Sequence, residues 1–273
     1  MERRIKHIIL LSICLVFISG GVLLSQSSNK YEFERIEDNS FLIEEAYNQE
    51  AGVIQHISSF QLMNNHTWSY TFTDEWPVPG QNHQLSATIP VLNTGALGLG
   101  DVELNYRYQA INRTRFAFSP RFSLIFPTGN YKEGLGSGTL GYQLSLPFSF
   151  ILSTKIVTHY NLGLTITPGA KYSTGLTYDQ TIFNYGLSMI FLVSKSFNLM
   201  LEVVANTTHA KGNDRVTHNS GTLLINPGFR YAINFKSGLQ IVPGLAVPIG
   251  LGPSKGDTGL FAYLSFEHPL WKP

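Results

Sequence analysis

Residues 139–150 read TLGYQLSLPFSF. The even positions are Leu140, Tyr142, Leu144, Leu146, Phe148 and Phe150. The odd positions between them carry Gly141, Gln143, Ser145, Pro147 and Ser149. Successive side chains of a strand point to opposite faces, so this alternation specifies a strand with one greasy face and one small, polar face. The fold turns on what the greasy face touches: a protein core or lipid.

The pattern recurs along the chain. In DVELNYRYQ (101–109), Val102, Leu104, Tyr106 and Tyr108 oppose Glu103, Asn105 and Arg107. In KIVTHYNLGLTI (155–166), Tyr160, Leu162, Leu164 and Ile166 oppose His159, Asn161, Gly163 and Thr165. Similar stretches from Gly52 to the C-terminus predict about twelve strands, most near the ~9–11 residues that a tilted transmembrane strand needs. The connections alternate between short ones (110–114, 151–154, 194–197, 234–237) and longer, Gly- and charge-rich ones (128–138, 168–181, 207–221, 250–258). Outer-membrane barrels have short periplasmic turns and long outer loops in this way. The faces opposite the apolar ones are rich in Gly, Ser, Thr, Asn and Gln, where a soluble sandwich would present Lys and Glu. The reading is therefore all-β: a transmembrane antiparallel up-and-down β-barrel of about twelve strands, its greasy faces toward lipid and its backbone groups satisfied by closure. An exported soluble sandwich or lipocalin-like barrel is the alternative that alternation alone leaves open.

Composition agrees with the barrel. Charged residues are 14% of the 273, against ~25% in ordinary domains. The chain begins MERRIKHIILLSICLVFISGGVLLSQSS, with a basic start, an apolar run over Ile8–Leu24 and a polar exit. This is a signal-peptide pattern, placed at 1–26, with an uncleaved anchor as the competing reading. The only cysteine, Cys14, falls in it. Removal takes away Arg3, Arg4, Lys6 and Glu2 and turns the formal charge from +1 to −1. A near-neutral balance without basic clusters gives no case for nucleic-acid binding. Residues 27–50 read as a polar periplasmic arm with a short helix near Phe41–Tyr47. Residues 51–273 read as the barrel. Phe266 or Trp271 would supply the terminal aromatic of the last strand.

Several phrases carry a family resemblance: FLIEEAYNQEAGVIQHI (41–57), EWPVPGQNHQLSATIPV (75–91), GLGDVELNYRYQ (98–109), FSPRFSLIFPTGN (118–130) and GTLGYQL (138–144). Together they resemble the outer-membrane β-barrel family named for a MetA pathway of phenol degradation, also called transporter-like. The resemblance spans most of the mature chain. It implies passage of aromatic or hydrophobic compounds and carries over no catalytic or binding residue.

The expected function is thus an outer-membrane channel for small hydrophobic or aromatic molecules in a Gram-negative cell. Its partners would be membrane lipid and, during biogenesis, the barrel-assembly machinery. A structural or adhesion barrel without transport is the second class. A lipid hydrolase is the third, because His218-Asn219-Ser220, with Asn226 following, has the His–Ser spacing of outer-membrane phospholipase A. That spacing lies in a Gly- and charge-rich stretch and is weak out of context. No catalytic residues, cofactor or metal site are assigned, since the eight histidines have no zinc spacing. Glu103, Arg107, Arg121, Gln143, His159, Glu202 and Arg230 fall on polar faces and are the expected lumen lining. They would pair with one another in a dry lumen or act as a selectivity lining in a wet one.

Overall fold

Strands with one apolar face must bury it or give it to lipid, and an open edge cannot survive in hydrocarbon. The chain meets both demands by closing. A computed structural model describes residues 40–212 and 216–269. The expected signal peptide at 1–26, residues 27–39 of the expected arm and Trp271 lie outside the described residues. Seventeen strand segments form one sheet. They are β1 Val53–Met63, β2 Trp68–Trp76, β3 His83–Asn93, β4 Leu97–Leu99, β5 Val102–Tyr108, β6 Ile111–Arg113, β7 Phe116–Phe118, β8 Arg121–Phe126, β9 Gly141–Ser153, β10 Ile156–Lys171, β11 Thr177–Leu192, β12 Phe197–Gly212, β13 Thr217–Tyr231, β14 Ile233–Asn234, β15 Gln240–Ala246, β16 Ile249–Gly250 and β17 Gly259–Pro269.

Several segments are pieces of one stave. β4, β5 and β6 run on from one another, as do β7 and β8, β13 and β14, and β15 and β16. The result is a closed, antiparallel twelve-stave barrel. Two of the breaks fall at Pro120 and Pro248, which lack the N–H a ladder requires. Closure is made by β1 on β17, in unbroken register from Val53↔Pro269 to Met63↔Gly259.

Burial is inside-out relative to a soluble protein. On β9 and β10 Leu144 is 47% exposed and Leu162 51%, whereas Ser149 and His159 are 0% exposed. The same holds on β5, where Leu104, Tyr106 and Tyr108 are exposed and Asn105 and Arg107 are buried. Exposed apolar side chains on all sides and polar ones within belong to a wall with lipid outside. The greasy face of residues 139–150 therefore faces the membrane.

Two sequence expectations change. Stretches 168–181 and 207–221 are not long loops: β10 and β11 pair out to Lys171↔Thr177, and β12 and β13 to Lys211↔Thr217. Beyond the membrane their polar residues continue the ladder in water, which costs nothing when each hydrogen bond is kept. The stretch 128–138 does form a loop. The Asp101 carboxylate gathers it by accepting from Gly129 N–H at 2.9 Å and from Ser137 N–H and Oγ–H at 2.7 Å each. The expected helix at Phe41–Tyr47 is absent; those residues form bends, because their amides bond to the wall instead of to one another.

The wall assignment predicts that Leu144→Arg, which places a charge in the apolar band at ~2–4 kcal/mol, sharply reduces the fraction of protein that is SDS-resistant and heat-shiftable in outer membranes. Leu144→Ile should preserve it. Normal insertion of the arginine variant would reverse the facing of β9.

Candidate functional site: a segment held across the lumen

A closed wall with a polar inner face leaves a cavity whose donors and acceptors need partners. Residues 40–50, SFLIEEAYNQE, supply them. This stretch, expected as part of a periplasmic arm, runs inside the barrel and touches the inner faces of staves from β3 round to β17. Its contacts lie a few residues from the strand ends that carry the short turns, the periplasmic end in outer-membrane barrels. The segment thus crosses the lumen close to one level.

Its far end is held by Glu202 of β12. Glu202 Oε1 accepts the backbone N–H of Phe41 (3.0 Å), Leu42 (2.9 Å) and Ile43 (3.2 Å), while Oε2 accepts from Asn226 Nδ2 at 2.8 Å. Three successive amides around one oxygen form an anion-binding nest, here filled by a wholly buried carboxylate. The Phe41 ring packs on Phe261 and Tyr263 of β17, with centroids 5.5 and 5.3 Å away. Room for it comes from inward glycines. A Cβ on Gly244 would sit 2.5 Å from the Phe41 ring, one on Gly228 2.8 Å from it, and one on Gly186 2.0 Å from the Ile43 side chain.

Further along, Asn161 of β10 holds Glu44 by both backbone groups, accepting its N–H and donating to its C=O at 2.7 Å each. Ser149 Oγ accepts Ala46 N–H at 2.8 Å and lies 2.8 Å from His159 Nδ1, so the buried imidazole orients that hydroxyl. Ser119 and Gln109 donate to the Ala46 carbonyl. At the near end Gln84 Oε1 accepts Gln49 N–H at 2.9 Å.

Two arginines bind the middle. All five N–H donors of Arg107 are engaged: Nε with Asn48 Oδ1 (2.9 Å), Nη1 with Glu44 Oε1 (3.2 Å) and the Glu45 carbonyl (2.9 Å), Nη2 with the Tyr47 carbonyl (2.7 Å) and Gln84 Oε1 (2.9 Å). Arg121 gives Nε to Glu44 Oε2 at 2.8 Å and reaches Asn105, Ser123 and Gln143 with its other nitrogens. Glu44 thus bridges two guanidinium groups, one oxygen to each.

Among the residues expected to line the lumen, the structure brings Arg107, Arg121, His159 and Glu202 onto the segment or its immediate supports. Gln143 stands behind Arg121 and donates to Thr165 Oγ1 at 2.8 Å. Arg230 is buried on the inner face of β13 opposite Asn198. Glu103 is half-buried on β5, on the Arg107 face. Sequence reasoning missed Phe41, Glu44 and Asn48 on the segment and Gln84 on the wall, and gave Asn161 and Asn226 no part in holding it. The stretch FLIEEAYNQE offered a signal, since it shares the resemblance of the barrel that follows it.

The hydrolase arrangement does not assemble. His218 and Ser220 share a face of β13, but Asn226 donates to Glu202, and Asn219 bonds to His209 at 2.6 Å. On the outer wall His56 and His268 meet with 3.1 Å between their Nε2 atoms, and His56 Nδ1 bonds to Asp74. With ring centroids 5.2 Å apart the imidazoles meet nearly head-on, which suits an N–H···N bond.

Above the segment the inner wall is lined by hydroxyls and amides. Thr73 and Thr88 bond at 3.0 Å, and Thr165 accepts from Asn184 at 3.3 Å as well as from Gln143.

Comparison with known proteins agrees with the fold. The family model described as "Putative MetA-pathway of phenol degradation" matches residues 41–245, and the chain belongs to that family. The match begins at Phe41, so the lumen segment is part of the family's own sequence. The COG4313 outer membrane channel from Pseudomonas putida F1 is similar in structure at 12% identity, with a TM-score of 0.58 over 89% of this chain and 99% of that one. The NanC porin (8% identity, TM-score 0.54) and the KdgM porin (10%, 0.53) each match over 78% of this chain and 98% of theirs. At these identities the likeness shows the barrel fold. No curated protein matches the sequence.

Two variants test how the segment is held. Glu202→Ala removes the acceptor of three amides, each charge-assisted bond being worth ~1.5–3 kcal/mol. Gly244→Ala drives the Phe41 ring from its place. With Leu42→Cys as reporter and Cys14→Ser as background, either change should raise the rate of thiol labelling at residue 42 by about tenfold or more, ~1.4 kcal/mol per decade. Unchanged protection in both would show that neither contact restrains the segment.

Proposed function

From membership in that family and from the segment in the lumen, we propose that the protein is an outer-membrane channel for small molecules, closed at rest by its own residues 40–50. The carrying observation is how the segment is held. It joins no strand ladder; its bonds run mainly to side chains of the wall, with Asn48 Nδ2 to the Gln81 carbonyl and Val53 N–H to the Glu50 carbonyl at the near end, so residues 40–47 can leave without unzipping the barrel. A crossbar built into the sheet would cost the barrel itself to remove.

Small aromatic compounds are the cargo this reading favours. The family's description points to phenols, and an aromatic alcohol needs a lining that offers hydrogen bonds to its hydroxyl. The threonines and asparagines above the segment offer them. Export would follow the N-terminal basic and apolar run, with insertion by the assembly machinery and lipid around the exposed apolar belt.

Replacing residues 40–47 by a Gly-Ser stretch of equal length tests the reading. In planar bilayers the wild type should be mostly silent and the replaced protein should conduct steadily. Liposomes bearing the replaced protein should take up phenol faster than those bearing the wild type. A replaced barrel that folds, resists SDS and stays silent would favour the structural-barrel reading.

A further inference from the structure

We infer that the pair Arg107 and Arg121 is a binding site for a small carboxylate, and that Glu44 of the segment occupies it as an internal stand-in. The inference rests on the channel reading for its role in opening, but the site itself stands on geometry.

One carboxylate bridging two guanidinium groups, Oε1 to Arg107 and Oε2 to Arg121, is how arginines take a carboxylate ligand. The remaining contacts show what would follow if the segment left. Arg107 would keep only Gln84 Oε1; its other four bonds go to Glu44, Glu45, Tyr47 and Asn48. With the segment in place Arg107 is 2% exposed; once it leaves, four guanidinium N–H groups face the lumen without a protein acceptor and are open to a ligand that brings its own. Arg121 would keep Asn105, Ser123 and Gln143 and turn Nε into the vacated space. Glu103 lies on the Arg107 face of β5, and Glu75 lies behind Gln84, which bonds to Arg107. Glu75 is already tied to Gln84, so the vacated site lacks acceptors more than it lacks charge. A small anion with two oxygens supplies them.

The site is also reachable. The Glu44 side chain is 21% exposed and that of Arg121 16%, so a solute in the lumen meets the outer half of the bridge without prior unfolding. A carboxylate that takes Arg121 leaves Glu44 with one partner. The carboxylate and the segment therefore compete for the two arginines, so binding of the one and release of the other favour each other.

Benzoate is the probe, with benzyl alcohol as the uncharged control. Calorimetry on the detergent-solubilised full-length protein should show benzoate binding about tenfold or more tighter to Glu44→Gln than to the wild type, and binding to the Gly-Ser replacement of 40–47 as well. Arg107→Gln with Arg121→Gln in the replaced protein should abolish binding. The corresponding Lys pair should retain part of it, and heat-shift gels establish that each variant is folded. Benzyl alcohol, which has no carboxylate for the arginines, should show no change in binding on Glu44→Gln or on the double Gln change. Equal benzoate affinity in wild type and Glu44→Gln, or binding that survives the double Gln change, would overturn the site. Conductance of the replaced protein is scored separately, so a silent barrel that binds benzoate would sink the channel and leave the anion site standing.

Discussion

Hydrocarbon offers no hydrogen bonds, and every other feature of this structure follows from that. A sheet in lipid must have no edge, so β1 pairs with β17 over its whole length. Closure fixes the direction of each side chain. Residues of one parity go to lipid and are apolar; those of the other go inside and can be polar. The inside then acquires a problem of its own. Arg107 and Glu202 are all but inaccessible, and buried charge without partners is unstable.

The segment 40–50 answers that problem with its backbone. A stretch without helix or strand has unpaired amides and carbonyls. Glu202, Ser149 and Asn161 take the amides, while Arg107 takes two carbonyls and Ser119 a third. Wall and segment are each under-satisfied alone and satisfied together. Such complementarity holds the segment in place without making it part of the sheet, which is the property a removable closure requires. The inward glycines serve the same end: Gly186, Gly228 and Gly244 leave space that Ile43 and Phe41 fill.

The barrel was legible in the sequence because its signal is repeated. Period-two alternation, as in residues 139–150, needs no knowledge of what lies across the sheet. The extended hairpins of β10–β11 and β12–β13 were less legible, since polar strands above the membrane have no apolar face to mark them. The crossing of the lumen was not legible at all. Ser40–Glu50 has no periodicity, and its partners lie far off in sequence, as Glu202 does from Phe41. Acidic Glu44 within a polar stretch reads as solvated until the fold sets Arg107 and Arg121 on either side of it.

The central claim is that residues 40–50 sit inside the closed wall. Ser40 Oγ bonds to Ser188 Oγ on the inner face of β11, so cysteines at the two positions would have their sulfurs in reach of each other. In the folded, membrane-inserted Ser40→Cys/Ser188→Cys protein with Cys14→Ser, mild oxidation should form a disulfide in nearly every molecule, and neither thiol should then react with an impermeant maleimide. Two thiols that stay reduced under oxidant and label independently would place the segment outside the barrel and remove the basis for a self-closed channel.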